Sequence, residues 1–321
     1  MSQGPSLHVV LGAGQVGTLL AERLVARGHR VRVVRQSRAA PGARGVEAVT
    51  ADALDAAQMA EAMRGAEVAY HCMNPRYDRW MEQLLPMNRG IVAGAARAGA
   101  RLVVLDNLYM YGEDTSRMNE DTRISPVSRK GALRAQGAEE MLAADAKGEV
   151  KLAIARASDY FGPGVGERAV AFGERFFRRV LAGKSAECMG DPDQPHAYSY
   201  VPDVAEGLAL LGSRAEARGV WMLPVLPAES TRQVVDRFGR ALGRPIGVSR
   251  IPMLVLRALG VFDPVIREVP EMSYQWRQPF VVDDARFRAA FGVEATPWDD
   301  AIAATWAWAR AVYAPGARAA A

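Results

Sequence analysis

Apolar and polar positions in the first half of the chain repeat with two different periods. Short apolar runs predict buried strands, and the longer stretches between them, with apolar residues three or four apart, predict amphipathic helices. Six strands are predicted, over residues 8–11, 30–34, 45–52, 67–72, 101–106 and 151–156. One helix follows the first strand directly, and others are predicted over residues 56–63, 81–98 and 130–142. This alternation predicts an α/β fold with a doubly wound parallel sheet.

Three glycines follow the first strand at once, in the segment Gly12-Ala13-Gly14-Gln15-Val16-Gly17. A strand, a G-x-G-x-x-G loop and a helix in this order are typical of a dinucleotide-binding turn. Gly12 allows the tight turn, Gly14 lets a pyrophosphate approach the backbone, and Gly17 lets the helix pack on the strand. The N-terminus of the helix, at Gln15 and Val16, offers N–H groups to the phosphates. We therefore expect a Rossmann-type sheet that binds a dinucleotide.

The end of the second predicted strand indicates which dinucleotide binds. In NAD-binding proteins an acidic residue about 20 residues past the glycines holds the ribose 2′-hydroxyl group. This chain has Arg35-Gln36-Ser37-Arg38 there, without a carboxylate. The guanidinium groups of Arg35 and Arg38 can instead form forked hydrogen bonds to a 2′-phosphate. The sequence therefore predicts NADP(H), with a solvated basic loop as the alternative.

The regular alternation stops near residue 165. Beyond it, helical stretches over residues 168–181, 204–211 and 231–242 alternate with short strands and proline-rich turns. We expect an NADP-binding Rossmann domain over residues 1–165, to which segments near 197–213 return, and a smaller, mainly C-terminal α+β substrate-binding or lid region over residues 166–313. Residues 314–321 are expected to form a tail. Trp221 and Met222 are expected among the apolar residues of the lid.

Composition limits the classes of function. The chain has 321 residues and a net charge of +4, without a block of Lys and Arg, so nucleic-acid binding is not expected. Two cysteines far apart indicate neither a disulfide framework nor a metal site. The first strand begins too early for a signal peptide, and the longest apolar stretch is too short for a membrane span. We therefore expect a cytoplasmic protein with a small-molecule substrate.

These motifs together resemble the extended short-chain dehydrogenase/reductase superfamily, in its NAD-dependent epimerase/dehydratase group, from Leu7 to about Gly212. The resembling segments beyond the glycine loop are Asp52-Ala53-Leu54, Asn88, Tyr111-Gly112, Phe161-Gly162-Pro163-Gly164 and Tyr200-Val201-Pro202-Asp203-Val204. The resemblance implies that Asp52 and Ala53 contact the adenine and that Asn74 lies beside the pyrophosphate. It also suggests a homodimer.

The chain departs from the family at its acid/base residues. Members carry Ser or Thr five residues before the glycine that follows the fifth strand, where this chain has Asn107. Members also carry Y-x-x-x-K on the next helix, with the tyrosine as general acid/base and the lysine on the ribose. Here the corresponding segment is Lys130-Gly131-Ala132-Leu133-Arg134. The usual proton donor is therefore absent from that helix.

The replacement pair is chemically coherent. Positions i and i+4 share a helix face, so Lys130 and Arg134 can both point at a cofactor and substrate. Arg134 can donate to ribose hydroxyls or to an oxyanion, and a partly desolvated Lys130 could give a proton to a developing alkoxide. Asn107 can donate to the same oxygen. The alternative is a merely basic helix end, or an inactive site.

Other candidates come from the resemblance. Tyr109 occupies the place where related dehydratases carry an extra acid/base, and it could supply the missing phenol or simply pack as a strand-end aromatic. Asp159 and Tyr160 match a segment beside nicotinamide and substrate. His196 stands where nucleotide-sugar epimerases carry an arginine that clamps the diphosphate, and a neutral histidine is a poor substitute. We therefore expect a substrate other than a nucleotide sugar.

The sequence favours an NADP(H)-dependent oxidoreductase that acts on a carbonyl or alcohol of a small metabolite. Lys130 or Tyr109 would be the proton donor, and Asn107 and Arg134 would polarise the oxygen. One alternative is an epimerase or dehydratase that keeps its cofactor bound. Another is an NADP(H)-binding sensor without turnover, because a fold alone does not imply activity.

Overall fold

The computed structural model describes residues 5–36, 45–112, 115–166 and 171–314. Its residue contacts divide the chain into two units. The first unit comprises Met1–Met110, Arg129–Arg156 and Val204–Leu223, and the second comprises Tyr111–Ser128, Ala157–Asp203 and Pro224–Ala321. Each unit has a hydrophobic core of its own.

Strands and helices alternate through most of the chain. The strands are β1 Leu7–Leu11, β2 Arg30–Arg35, β3 Val46–Thr50, β4 Val68–His71, β5 Arg101–Asp106, β6 Leu152–Arg156, β7 Asp159–Phe161, β8 Ala186–Cys188, β9 Pro195–His196, β10 Tyr198–Tyr200, β11 Gly219–Met222, β12 Glu229–Ser230 and β13 Val248–Arg250. The α-helices are α1 Gln15–Ala26, α2 Ala56–Ala62, α3 Trp80–Ala98, α4 Arg129–Ala146, α5 Glu174–Leu181, α6 Val201–Ser213, α7 Thr231–Leu242, α8 Met253–Leu259, α9 Pro264–Arg267, α10 Ala285–Phe291 and α11 Trp298–Tyr313. Short 3₁₀ helices cover Tyr77–Arg79, Tyr109–Tyr111 and Pro270–Trp276.

The first unit is built on one parallel sheet with the strand order β3-β2-β1-β4-β5-β6-β11. Each pair of neighbouring strands is parallel. The order of the first six strands is that of a Rossmann fold, which confirms the predicted fold class. The direction of winding reverses between β1 and β4. In such sheets ligands bind outside the carboxyl ends of the strands at this reversal.

The strands in the middle of the sheet are buried on both faces, which explains their continuous apolar sequences. Every residue of β1, β4 and β6 is buried. Helices α2, α3 and α4 contribute apolar residues to the same core. Glycines on α3 allow close approach to α2, because a Cβ atom at Gly94 would lie 2.4 Å from the Cβ of Met59.

The seventh strand of the sheet, β11, is absent from the sequence prediction. Trp221 and Met222 were expected in the lid, but they pair with Ala155 and Arg156 of β6 inside the first unit. Its strand partner β6 lies more than 60 residues away in the sequence, so no local pattern indicates this pairing. The prediction for these two residues was therefore wrong.

The second unit mixes helices with short strand pairs, as an α+β region should. β7 pairs with β10 and β8 with β13 in parallel, and β9 pairs with β12 antiparallel. Its core is rich in aromatic side chains, including Phe161, Phe172, Phe177, Phe238 and Trp306. The helix predicted over residues 168–181 is observed as α5 from Glu174, and residues 167–170 lie outside the described part of the chain. The segment Phe161-Gly162-Pro163-Gly164, which carries part of the family resemblance, begins with the last residue of β7.

A helix that crosses a bilayer must be both long and continuously apolar. Among the described residues, no helix meets both conditions.

Candidate functional site

The glycine loop lies between three strands of the first unit. Gly12 has φ +100°, a conformation that L side chains rarely adopt, and its N–H donates to the carbonyl oxygen of Val34 at 2.9 Å. A Cβ atom at Gly12 would lie 3.0 Å from the carbonyl oxygen of Cys72, just past β4. The loop is therefore bonded to β2, and its conformation and its close approach to the end of β4 both favour glycine at position 12.

The other two glycines have opposite surroundings. A Cβ atom at Gly17 would lie 1.9 Å from the carbonyl oxygen of Gly12, so the first turn of α1 packs directly on the loop. At Gly14, the N-cap of α1, an added Cβ would meet nothing within 4 Å. Among the described residues, no side chain caps this helix and its first turn carries no acidic residue. An open, uncapped helix N-terminus fits a diphosphate.

The segments expected around the adenosine lie at the carboxyl ends of β2 and β3. Arg35 is the last residue of β2 and is half-buried, whereas Arg38 lies outside the described residues. The carboxylate of Asp52 accepts a hydrogen bond from the Leu54 N–H at 3.0 Å. Ala53 is buried against α3, since a Cβ at Gly90 would lie 2.3 Å from the Ala53 carbonyl oxygen. The contacts of these residues with a cofactor stay predictions.

The basic pair of α4 packs against aromatic rings. Lys130 has 1% of its surface exposed, and its ammonium nitrogen lies 4.7 Å from the centre of the Tyr77 ring. The guanidinium carbon of Arg134 lies 4.2 Å from the centre of the Trp80 ring. Tyr77 begins the 3₁₀ helix that follows β4, and Trp80 is the first residue of α3. A cation over an aromatic face is attracted by the ring quadrupole, more strongly where water is excluded.

Arg134 is also held by polar contacts. It donates to a carboxylate oxygen of Asp106 at 3.1 Å and to the side-chain oxygen of Asn74. Arg156 lies opposite Asp106 in the register of β5 and β6, and its Nε atom is 3.7 Å from the second carboxylate oxygen. Within the described residues, that Asp106 oxygen and the Nε of Arg134 are buried without a hydrogen-bond partner. Two guanidinium groups therefore face one buried carboxylate.

Asn107 and Tyr109 lie just beyond β5, and the Tyr109 ring packs on Trp80. The side-chain oxygen of Asn107 accepts the backbone N–H of Tyr109 at 3.1 Å, so its amide nitrogen is the end that can donate to a ligand. Tyr109 is half-buried, and its ring lies 6.1 Å from that of Trp80. Tyr77 meets Trp80 edge-on at 5.1 Å. Two tyrosines thus pack on one tryptophan.

His71, the last residue of β4, has hydrogen-bond partners at both ring nitrogens. Its Nε2 atom lies 3.1 Å from the side-chain oxygen of Asn88 on α3, and its Nδ1 accepts from the N–H of Met73. Burial lowers the pKa of His71 to about 4, so the ring is neutral at neutral pH. Asn88 therefore has a structural role that fixes the start of the segment after β4.

Three expected substrate residues belong to the second unit. Asp159 and Tyr160 begin β7, and Asp159 accepts a hydrogen bond from Nε2 of His196 at 2.8 Å. The imidazole is 1% exposed and stacks against Trp276 and Phe280, whereas the Asp159 side chain is 16% exposed. The imidazole of His196 is therefore enclosed, and Asp159 is the more exposed group of the pair. Their role toward a substrate stays a prediction.

Several residues of these clusters were not assigned a role from the sequence. Tyr77, Trp80, Arg156 and Trp276 lie outside the motifs described above. Asp106 was predicted as the last residue of the fifth strand. Pairing of Asp106 with Arg156 depends on the register of β5 and β6, which a single sequence does not give.

The described residues also bear on metal chemistry. They contain no group of three or more His, Cys, Asp or Glu side chains that could hold a metal ion.

Comparison with known proteins places most of the chain in one family. The model described as "NAD dependent epimerase/dehydratase family" matches residues 8–221. No curated protein matches the chain significantly.

Solved structures share the fold at low sequence identity. A putative epimerase from Burkholderia cenocepacia is 18% identical with a TM-score of 0.76, over 97% of this chain and 100% of its own. UDP-glucuronic acid 4-epimerase from Bacillus cereus, in complex with NAD, is 13% identical with a TM-score of 0.77, over 96% and 97% of the two chains. A dTDP-glucose 4,6-dehydratase from Streptomyces venezuelae, with NAD bound, is 17% identical with a TM-score of 0.76, over 95% and 97%.

Proposed function

The chain belongs to the NAD-dependent epimerase/dehydratase family, and from that membership we propose that it is an NADP(H)-dependent oxidoreductase acting on a carbonyl or alcohol group of a small metabolite. When bound, the nicotinamide dinucleotide supplies or takes up the hydride. The chain has to bind the dinucleotide, hold the substrate oxygen and move one proton.

The burial of the Lys130–Arg134 pair carries this proposal. A merely basic helix end would be solvated, but the side chain of Arg134 is 8% exposed and Lys130 is 1% exposed. Burying charged groups is unfavourable unless they have compensating partners. Arg134 has Asp106, Asn74 and the Trp80 ring, and Lys130 has the Tyr77 ring. Cations fixed in this way, beyond the carboxyl ends of β4 and β5, are suited to stabilising a developing alkoxide.

Each candidate residue has a defined task in this proposal. The glycine loop and the N-terminus of α1 hold the diphosphate, and Arg35 with Arg38 holds the 2′-phosphate. Arg134 donates to a ribose hydroxyl or to the substrate oxygen, and the amide nitrogen of Asn107 donates to the same oxygen. Lys130 adds positive charge beside it.

The second candidate is an epimerase or dehydratase that regenerates its bound cofactor in each cycle. The family name favours it. The contact of His196 with Asp159, instead of a free cationic clamp, supports a substrate other than a nucleotide sugar for either reaction. The two reactions differ in redox balance, because only the oxidoreductase changes the amount of NADPH in the steady state.

The test is NADPH oxidation, followed by absorbance, with a panel of small aldehydes and ketones. We expect turnover by the wild type, and about a hundredfold loss of kcat or more in Lys130→Met. Lys147→Met is the matched control, because Lys147 is exposed just past the end of the same helix. Substrate conversion without a change in NADPH would favour the epimerase or dehydratase. Full activity of Lys130→Met would contradict the proposed site.

A further inference from the structure

We propose that Tyr77 is the proton donor of this site and that Lys130 is its electrostatic partner. This inference rests on the proposed function and specifies which group gives the proton. It assigns a catalytic role to a residue of the segment between β4 and α3, in place of Lys130 itself or Tyr109.

The geometry brings one phenol and one ammonium group together from two separate elements. Tyr77 opens the 3₁₀ helix that follows β4, and Lys130 lies in the first turn of α4. The ammonium nitrogen lies 4.7 Å from the ring centre of Tyr77. Tyr77 is half-buried, whereas Lys130 is almost completely buried. A ligand can therefore reach the tyrosine more easily than the lysine.

The phenol and the ammonium group can take different roles in proton transfer. A phenol that gives up its proton becomes an anion, and a positive charge beside it stabilises that anion. This attraction is screened little where the cation is buried. Lys130 is held by the face of the ring, so it can stabilise the phenolate without leaving its place. The pair thus combines an exchangeable proton with a fixed counter-charge.

Trp80 fixes the orientation of the donor. Its ring meets Tyr77 edge-on at 5.1 Å, and its Nε1 donates to the carbonyl oxygen of Pro75 at 3.1 Å. Arg134 lies over the same indole. The indole of Trp80, which positions the Tyr77 phenol, is therefore itself held by Arg134 of α4 and by the carbonyl group of Pro75.

Atoms and electrons balance in the proposed step. The carbonyl carbon of the substrate gains a hydride with its electron pair from the reduced dinucleotide, which is oxidised. The carbonyl oxygen gains the proton of the Tyr77 hydroxyl group as the O–H bond breaks. The Tyr77 phenolate is stabilised by Lys130 and recovers a proton from solvent. In the reverse direction the phenolate accepts the proton of an alcohol.

The first test does not depend on activity. Tetranitromethane nitrates phenolates far faster than phenols, and peptide mass mapping can report each tyrosine separately. Tyr109 is the internal control, because it is also half-buried and also packs on Trp80. Near neutral pH we expect Tyr77 to be nitrated about tenfold faster than Tyr109, and this advantage to disappear in Lys130→Met. Equal rates for the two tyrosines in the wild type would overturn the proposal.

The second test uses the kinetic roles of the two tyrosines. Tyr77→Phe should lower kcat about a hundredfold or more and leave the dissociation constant for NADPH unchanged, whereas Tyr109→Phe should keep most of the activity. The reverse pattern would overturn the proposal and leave the proposed function intact. A wild type that binds no dinucleotide would overturn the proposed function instead. Where no substrate on the panel is turned over, the nitration rates decide.

Discussion

Arg134 illustrates how much of this site is decided at single residues. In the family that the chain resembles, a lysine stands at this position, but a guanidinium has five N–H donors in a rigid fork. The structure uses that fork for Asp106 and Asn74, and the flat face of the group for Trp80. A lysine could not make these contacts together. Arginine in place of lysine therefore changes the contacts of this position, which now include a carboxylate and an indole.

The proposed preference for NADPH over NADH also depends on a single residue, Arg35. Arg35 ends β2 close to the expected 2′-position, and Arg30 begins the same strand at its exposed far end. We expect Arg35→Ala to weaken NADPH binding about tenfold, or about 1.4 kcal/mol, and to leave NADH binding nearly unchanged. Arg30→Ala is the matched control and should change neither. Fluorescence titration measures both affinities, and an equal loss for the two dinucleotides would contradict the assignment.

At the scale of elements, the glycine loop and α1 form one unit whose glycines have separate tasks. Gly17 allows the helix to pack, whereas Gly14 leaves space where the diphosphate is expected. Gly17→Ala should therefore lower the free energy of unfolding by about 1–3 kcal/mol, because its Cβ would overlap the Gly12 carbonyl oxygen. Gly14→Ala should keep the stability of the free protein and weaken dinucleotide binding.

Urea unfolding and fluorescence titration of both variants check this separation. If Gly14→Ala bound NADPH as tightly as the wild type, the diphosphate would have to lie elsewhere.

The elements also show what a single sequence can predict. Strands β1 to β6 were predicted because each is a short run rich in apolar residues between turn residues, although β3 has no buried residue in the structure. The spacing of Lys130 and Arg134 predicted a shared helix face. The strand β11 was missed because its pairing with β6 is a contact between segments far apart in the sequence. The contacts of this pair with Tyr77 and Trp80 depend on how the segment after β4 packs on α4, which is a tertiary contact without a local pattern.

At the scale of the whole molecule, two buried histidines tie stability to pH. His8 on β1 lies 2.9 Å from the Tyr70 hydroxyl group, and burial, helped by the neighbouring His29, lowers the pKa of His8 to about 4. Burial likewise lowers the pKa of His71 to about 4. Both are ordinarily near 6.5 in the unfolded chain. Between these values the unfolded state binds more protons, so stability is present above pH 6.5 and is lost as the pH falls toward 4.

We expect the free energy of unfolding to fall, between pH 6.5 and 5, by up to about 1.4 kcal/mol per pH unit for each histidine. Urea unfolding at several pH values measures this slope. The double variant His8→Asn, His71→Asn should flatten it, even if its stability at pH 7 is lower. A slope that is as steep in the double variant would assign the dependence to other groups.

The central claim is that this fold binds a nicotinamide dinucleotide and uses it with a basic pair in place of the usual residues. Fluorescence titration of the purified wild type with NADPH and with NADH tests it most directly. We expect NADPH to bind, and NADH to bind about tenfold more weakly, a difference of about 1.4 kcal/mol. If neither dinucleotide bound, both this claim and the proposed enzymatic function would be contradicted.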